Sequence, residues 1–155
     1  MNKKTLLTGA GGLVGIQVDA DLRIDGKAQL DLRDWGATLN YFEEHEPTHV
    51  IHCAAKVGGV LANMNHMGEF FYDSMAMNLN VLEAARRTGA KKVVSFLSTC
   101  IYPDQAKYPL VETDLHSGEP HESNFAYAYA KRMLEVQSRA YRKQYGVDYV
   151  CVVPT

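Results

Sequence analysis

The sequence is poor in cysteine, has no basic run and contains no long apolar stretch, and each shortage excludes a class of protein. Cys53, Cys100 and Cys151 are 3 in number with no C-x-x-C spacing, which argues against a disulfide framework and a thiolate zinc site. Lys and Arg total 16 against 18 Asp and Glu, for a net charge of −2, so no nucleic-acid surface is indicated. The opening "MNKKTLLTGA" places only a pair of leucines between basic and glycine residues, too short for a signal-peptide core. No run approaches the roughly 20 apolar residues of a membrane span. The expected compartment is the cytoplasm, with neither nucleic acid nor membrane as a partner. What is present is ordinary: 46% hydrophobic and 22% charged residues over 155 positions, enough for one domain, 1–155, with a sizeable core.

Short apolar runs rich in Val and Ile, each ending in small or polar residues, recur along the chain. They predict strands at 5–8, 50–53, 93–97 and 149–152, buried on both faces of a parallel sheet. Between them lie helical patterns: 35–47, stopped by Pro47; 68–88, with basic residues in its last turn and Gly89 beyond; and 124–145, closed by Gly146. Strands alternating with helices mean an α/β, Rossmann-like doubly wound parallel sheet. One segment is too short for that plan. After "GLVG" only residues 16–34 remain before the next helix, and Asp19, Asp21 and Asp25 interrupt any amphipathic pattern. A first helix of one or two turns and a truncated strand near 20–24 are expected.

The motif "TGAGGLVG" follows the first strand and spaces Gly9, Gly12 and Gly15 as G-x-x-G-x-x-G. Glycines there permit a tight turn and let backbone N–H groups approach a pyrophosphate, a reading favoured over a ligand-free turn. At the adenosine ribose, an acidic residue would hold a 2′-hydroxyl and a basic one a 2′-phosphate; the region offers Asp21, Arg23, Asp25 and Lys27. Arg23 and Lys27 favour NADP, although solvated loop charges account for them nearly as well. In "FAYAYAKRM", Tyr127 lies four residues before Lys131 and Tyr129 only two, so Tyr127 shares a helix face with the lysine. A phenol beside an ammonium gives up its proton more readily. Taken alone, such a pair is more often a core anchor and a solvated stem. Ser98, at the strand end in "FLSTCIYP", shifts the balance, because side chains there face the ligand crevice and a serine can donate to a substrate carbonyl. The histidines read as bystanders. His49 and His52, three apart in a strand, face opposite sides and cannot chelate one metal; His116 and His121 lie in the polar loop before Tyr127, where a solvated role is favoured over lining the substrate mouth.

The stretches "TGAGGLVG", "PTHVIHCAAKVGGV", "NVLEAARRTGAKKVVSFLSTCIYP", "YPLVETDLHSGEPHESNFAYAYAKRM" and "YGVDYVCVVPT" together resemble the extended short-chain dehydrogenase/reductases. Among them the chain looks like the GDP-L-fucose synthase family of GDP-4-keto-6-deoxymannose epimerase/reductases, with "STCIYP" and "AAKVGG" as the specific parts. The resemblance implies NADP as cofactor, a GDP-sugar as substrate, and a homodimer through helices 68–88 and 124–145. It implies that Cys100 is one of two acid–base residues moving protons beside the substrate's 4-ketone, its thiol drawn toward neutral by nearby positive charge. Tyr127 would protonate the oxygen at C4, while Lys131 lowers the tyrosine's pKa and holds the nicotinamide ribose. Further cofactor contacts are implied for Leu13, Val14, Asp31, Leu32, Ala54, Ala55, Lys56 and Pro154, beside Gly9, Gly12, Gly15 and Arg23. The chain also departs from the family. Ser74 stands where many relatives carry asparagine, and the family's second acid–base residue, a histidine, lies past the "PT" at 154–155 with most of the GDP-sugar domain. The expectation is a cofactor-binding portion, truncated before the C-terminal substrate domain and inactive alone. The alternatives are a nucleotide-sugar 4-epimerase or 4,6-dehydratase using NAD, whose members typically carry another residue where Cys100 stands, and a non-catalytic dinucleotide-binding module.

Overall fold

The computed structural model describes residues 3–154. Every predicted apolar run forms a strand: β1 Thr5–Thr8, β3 His49–His52, β4 Lys92–Phe96 and β5 Asp148–Val152. The truncated strand is β2, Leu22–Ile24. All pair in parallel, in the order β2-β1-β3-β4-β5. The chain leaves β1 toward β2 and later returns to β1's other side as β3. That reversal opens a crevice beyond the carboxyl ends of β1 and β3, where open α/β sheets hold ligands.

Helix α1, Trp35–His45, starts where the Asp34 carboxylate accepts from the Ala37 amide at 2.9 Å, an N-cap that satisfies an otherwise orphaned donor. It ends at Glu46, which takes a left-handed φ of 44° just ahead of Pro47. A short helix, α2 Val60–Asn65, was not predicted, since six residues are too few to show a period. The long helices α3, Met67–Arg87, and α4, Phe125–Tyr145, lie side by side. No helix among the described residues is long and apolar enough to cross a membrane.

Within residues 3–154 the strands are buried more completely on one face than on the other, where the composition suggested equal burial. Residues paired across a sheet share a face. His52 reaches Asn78 of α3, and Cys151 lies 3.6 Å from Ser138 of α4, so the row Leu6, Val50, Val93 and Tyr149 faces the helices; each is at most 1% exposed. The opposite row is Arg23, Leu7, Ile51, Val94 and Val150. There only Leu7 is fully buried, and Ile51, Val94 and Val150 remain half-buried. Within these residues the difference follows the crossovers. Right-handed crossovers into β3, β4 and β5 place α1, α3 and α4 on one side. The β1–β2 crossover passes over the other side, and its only helical element is the 3₁₀ turn Gly15–Gln17. The expected helix of one or two turns is reduced to that.

Candidate functional site

A cavity of about 720 Å³ opens at the carboxyl ends of β1, β3 and β4, within the range of small-molecule sites. Its first wall is the glycine turn, Gly9 and Gly12 to Gly15 with Leu13 and Val14. Gly9 has φ +72°, and a Cβ there would sit 2.7 Å from the Ala54 amide nitrogen. A Cβ on Gly15 would sit 2.1 Å from the Gly9 carbonyl oxygen. Side chains at either position would push the turn out of shape, so glycine is required for steric reasons. Ala54, Ala55 and Lys56 form the second wall, and Asp31, Leu32 and Pro154 also line the cavity.

At the end expected for adenosine, the four charged residues separate. Asp21 accepts from the Thr5 amide at 2.7 Å, tying β2 to β1. Arg23 does not line the cavity; its guanidinium turns back to the carbonyls of Val18, Ala10 and Gly15, the last two at 3.3 and 3.1 Å. Three of its five N–H groups are thus engaged by the loop rather than by the cavity. Asp25 and Lys27 do line the cavity, and Asp25 lies so close over the turn that a Cβ on Gly11 would meet its Oδ1 at 1.8 Å.

An ion-pair network that the sequence did not reveal closes the rim. Arg33 donates from Nε and Nη2 to the two oxygens of Asp31 at 2.9 and 2.6 Å, and from Nη1 to Asp73 of α3 at 2.9 Å. Lys56 reaches the other Asp73 oxygen at 3.3 Å. The hydrogen bond from Arg33 draws the Asp31 pKa down to about 2. Burial works against the Asp73 carboxylate, yet Arg33 and Lys56 outweigh it and leave its pKa lowered. Asp73 and Met77 line the cavity from one face of α3, four residues apart. That spacing was the available signal.

At the other end α4 presents Tyr127 and Lys131 one turn apart, both lining the cavity. Tyr129 points elsewhere, its ring 5.2 Å below the Arg132 guanidinium, so the tyrosine facing the cavity is Tyr127. Lys131 is only 2% exposed and donates from Nζ to the Phe96 carbonyl at 2.7 Å. Burial lowers its pKa to about 8 against the opposing pull of Cys53, Cys100 and Cys151. Tyr127 is not lowered as expected. Burial, reinforced by Cys100, pushes it up to about 12, and the Lys131 ammonium is directed at Phe96 rather than at the phenol. The Cys100 thiol is raised as well, by burial, although a hydrogen bond from Ser98 and the Lys131 charge oppose the shift. Ser98, Cys100, Tyr127 and Lys131 thus form one coupled group, in which burial outweighs charge.

Behind the cavity lies a polar chain. The Ala54 amide donates to Thr8 Oγ1 at 3.4 Å, Thr8 Oγ1 meets His52 Nδ1 at 2.8 Å, and His52 Nε2 meets Asn78 Oδ1 at 3.0 Å. Asn78 Nδ2 donates to the Ala130 carbonyl at 3.2 Å. Its Oδ1 is therefore an acceptor, so His52 carries its proton on Nε2 and Thr8 donates to Nδ1. Burial holds the ring neutral, with a pKa lowered to about 4. His49, His116 and His121 serve local roles, bonding Thr48, Glu135 and the Ser123 amide. Among the described residues no group of three or more His, Cys, Asp or Glu is placed to hold a metal ion.

Residues 5–155 match the model of the NAD dependent epimerase/dehydratase family. A probable GDP-L-fucose synthase of Drosophila melanogaster is 44% identical over 162 residues, covering 98% of this chain and 50% of the relative. The GDP-L-fucose synthase of Dictyostelium discoideum is 44% identical over 165 residues, covering 99% of this chain and 52% of its own. The crystal structure of a GDP-L-fucose synthetase from Naegleria fowleri bound to NADP superposes with a TM-score of 0.86 at 41% identity, covering 99% of this chain and 50% of that one. The chain spans about half the length of the curated relatives it matches.

Proposed function

The chain belongs to the NAD dependent epimerase/dehydratase family, and from that premise we propose that it is the cofactor-binding portion, 1–155, of an NADP-dependent enzyme converting GDP-4-keto-6-deoxymannose to GDP-L-fucose. The observation that carries this reading is that Tyr127 and Lys131 line one end of a cavity whose other end is the glycine turn, while Ser98 and Cys100 stand beside them without lining it. The turn would hold the pyrophosphate and Lys131 the nicotinamide ribose. A dinucleotide held there would supply the hydride for reduction at C4 of the sugar.

The remaining work falls to this chain's side chains. Tyr127, kept protonated by burial, donates its proton to the oxygen at C4. Ser98 donates a hydrogen bond to the same oxygen. Cys100, held as a thiol by burial, suits the proton-returning half of exchange beside the ketone. Lys27 on the rim supplies positive charge for a 2′-phosphate, which supports NADP, as does the NADP named in the Naegleria fowleri structure.

A homodimer through α3 and α4 accords with Tyr72, Leu79, Phe71 and Phe125, which are 68, 47, 42 and 41% exposed. Phe70, by contrast, is buried within the chain, and Tyr141 donates to Glu83. Light scattering at high concentration tests this, and a monomer counts against it. The cytoplasm is the proposed compartment, consistent with three free cysteines.

Calorimetry of the 155-residue chain with NADPH and NADH, followed by a product assay with GDP-4-keto-6-deoxymannose, tests the reading. Weak NADPH binding without turnover is expected. Failure to bind any dinucleotide overturns it. Turnover would place the second acid–base residue within this chain, and His121 is the first to replace.

A further inference from the structure

The β1–β2 crossover poses a problem that Arg23 solves. In doubly wound sheets the residues after the glycine turn form a helix, whose N-terminus adds partial positive charge under the pyrophosphate. Here the helical part is the three residues Gly15–Gln17, too short to carry a useful dipole. The loop also loses the later turns of amides that would have bonded its carbonyls.

Arg23 stands on the same face of the sheet, beside Leu7 in register. Its guanidinium donates to Val18, Ala10 and Gly15, gathering the two ends of the loop onto one group. Ala10 belongs to the glycine turn, and its amide is pinned to the Ile24 carbonyl at 2.9 Å. Gly15 lines the cavity from the front while Arg23 holds its carbonyl from behind. Leu7 has no exposure although no helix covers it.

We infer that Arg23 is a positioning residue that replaces the missing first helix, holding the glycine turn in its binding shape and placing a full positive charge behind the pyrophosphate. This rests on the cavity being a dinucleotide site, and it assigns Arg23 an indirect role in place of contact with the 2′-phosphate. The charge reaches the ligand through the turn, so the effect concerns the pyrophosphate and not the adenosine end.

The test uses the 155-residue chain and two probes, NADPH and adenosine 2′-monophosphate, the latter lacking any pyrophosphate. Arg23→Gln is expected to weaken NADPH about ten-fold, the scale of a favourable helix-terminus charge, while changing adenosine 2′-monophosphate less than two-fold. Arg23→Lys, which keeps the charge with fewer donors, is expected to hold NADPH within about three-fold of wild type, and rising salt should narrow the gap between the variants. Equal loss of both probes in Arg23→Gln would mean general collapse of the site and overturn the inference. So would an unchanged NADPH affinity. If Arg23→Gln does not fold, Arg23→Lys decides alone: losing NADPH while keeping adenosine 2′-monophosphate overturns the role of charge. A wild-type chain that binds neither probe removes the dinucleotide reading itself, a result distinct from any of these.

Discussion

The two faces of the sheet are made from the same strands and yet are built by different rules. On one face, Val50, Val93 and Tyr149 pack against helices α3 and α4, each of 21 residues. On the other, Ile51, Val94 and Val150 sit half-buried, and the β1–β2 crossover on that side carries one 3₁₀ turn. The groups proposed for chemistry, Tyr127 and Lys131, stand on α4 on the thick side. The glycine turn belongs to the thin side and is held by hydrogen bonds rather than by apolar packing. Position along a strand therefore says less about burial here than the direction of the crossover above it.

The largest effect should come from the thick side. Leu134→Ala, at a residue with no exposure, should cost about 3 kcal/mol in urea unfolding, whereas Val94→Ala on the open face should cost under about 1 kcal/mol. Equal costs would erase the distinction between the faces. Gly15→Ala should lose about 100-fold in NADPH affinity by calorimetry, roughly 2.7 kcal/mol, because its Cβ would meet the Gly9 carbonyl at 2.1 Å. Leu134→Ala, measured below its unfolding transition, should leave that affinity unchanged.

A third effect depends on pH. His52 has a folded pKa near 4 against an ordinary 6.5, so the unfolded chain binds more protons between those values. Stability is then fully present above pH 6.5 and falls as pH drops through 4, by at most about 3 kcal/mol. His52→Gln should flatten that portion of the pH–stability curve, although its plateau will be lower. The smallest effect belongs to the rim. Lys27→Met should shift the NADPH-to-NADH affinity ratio about five-fold toward NADH, and Asp25→Asn about as far toward NADPH, the scale of exposed charges in salt. Identical ratios in both variants would leave the 2′ position unread by either residue.

Strand positions, the long helices and the glycine turn were legible because each has a periodic or steric signature in the sequence. So was the choice of Tyr127 over Tyr129, which follows from helical spacing alone. The one-sided burial was not legible, since Val and Ile runs look alike whether one face or both are covered. The destination of Arg23 was hidden too, because a long cation near a phosphate site can equally bond carbonyls left without partners. The pKa directions at Tyr127 and Cys100 failed for a common reason. Spacing shows which charge is near but not how much water is excluded, and at this site burial is the stronger effect. The network of Arg33, Asp31, Asp73 and Lys56 joins residues up to 42 positions apart, beyond the reach of any local pattern.

The buried relay through His52 has a spectroscopic consequence. Its Nε2 proton is donated to Asn78 inside a fully covered ring, away from the water that ordinarily exchanges imidazole protons within milliseconds or faster. Such a proton should persist as a resolved downfield resonance in an NMR spectrum, with exchange limited by local opening of the fold. Because the same ring accepts from Thr8, one residue before the glycine turn, the line would report on the turn from behind. Ligand arriving in the cavity could then be followed through a nucleus that never touches it.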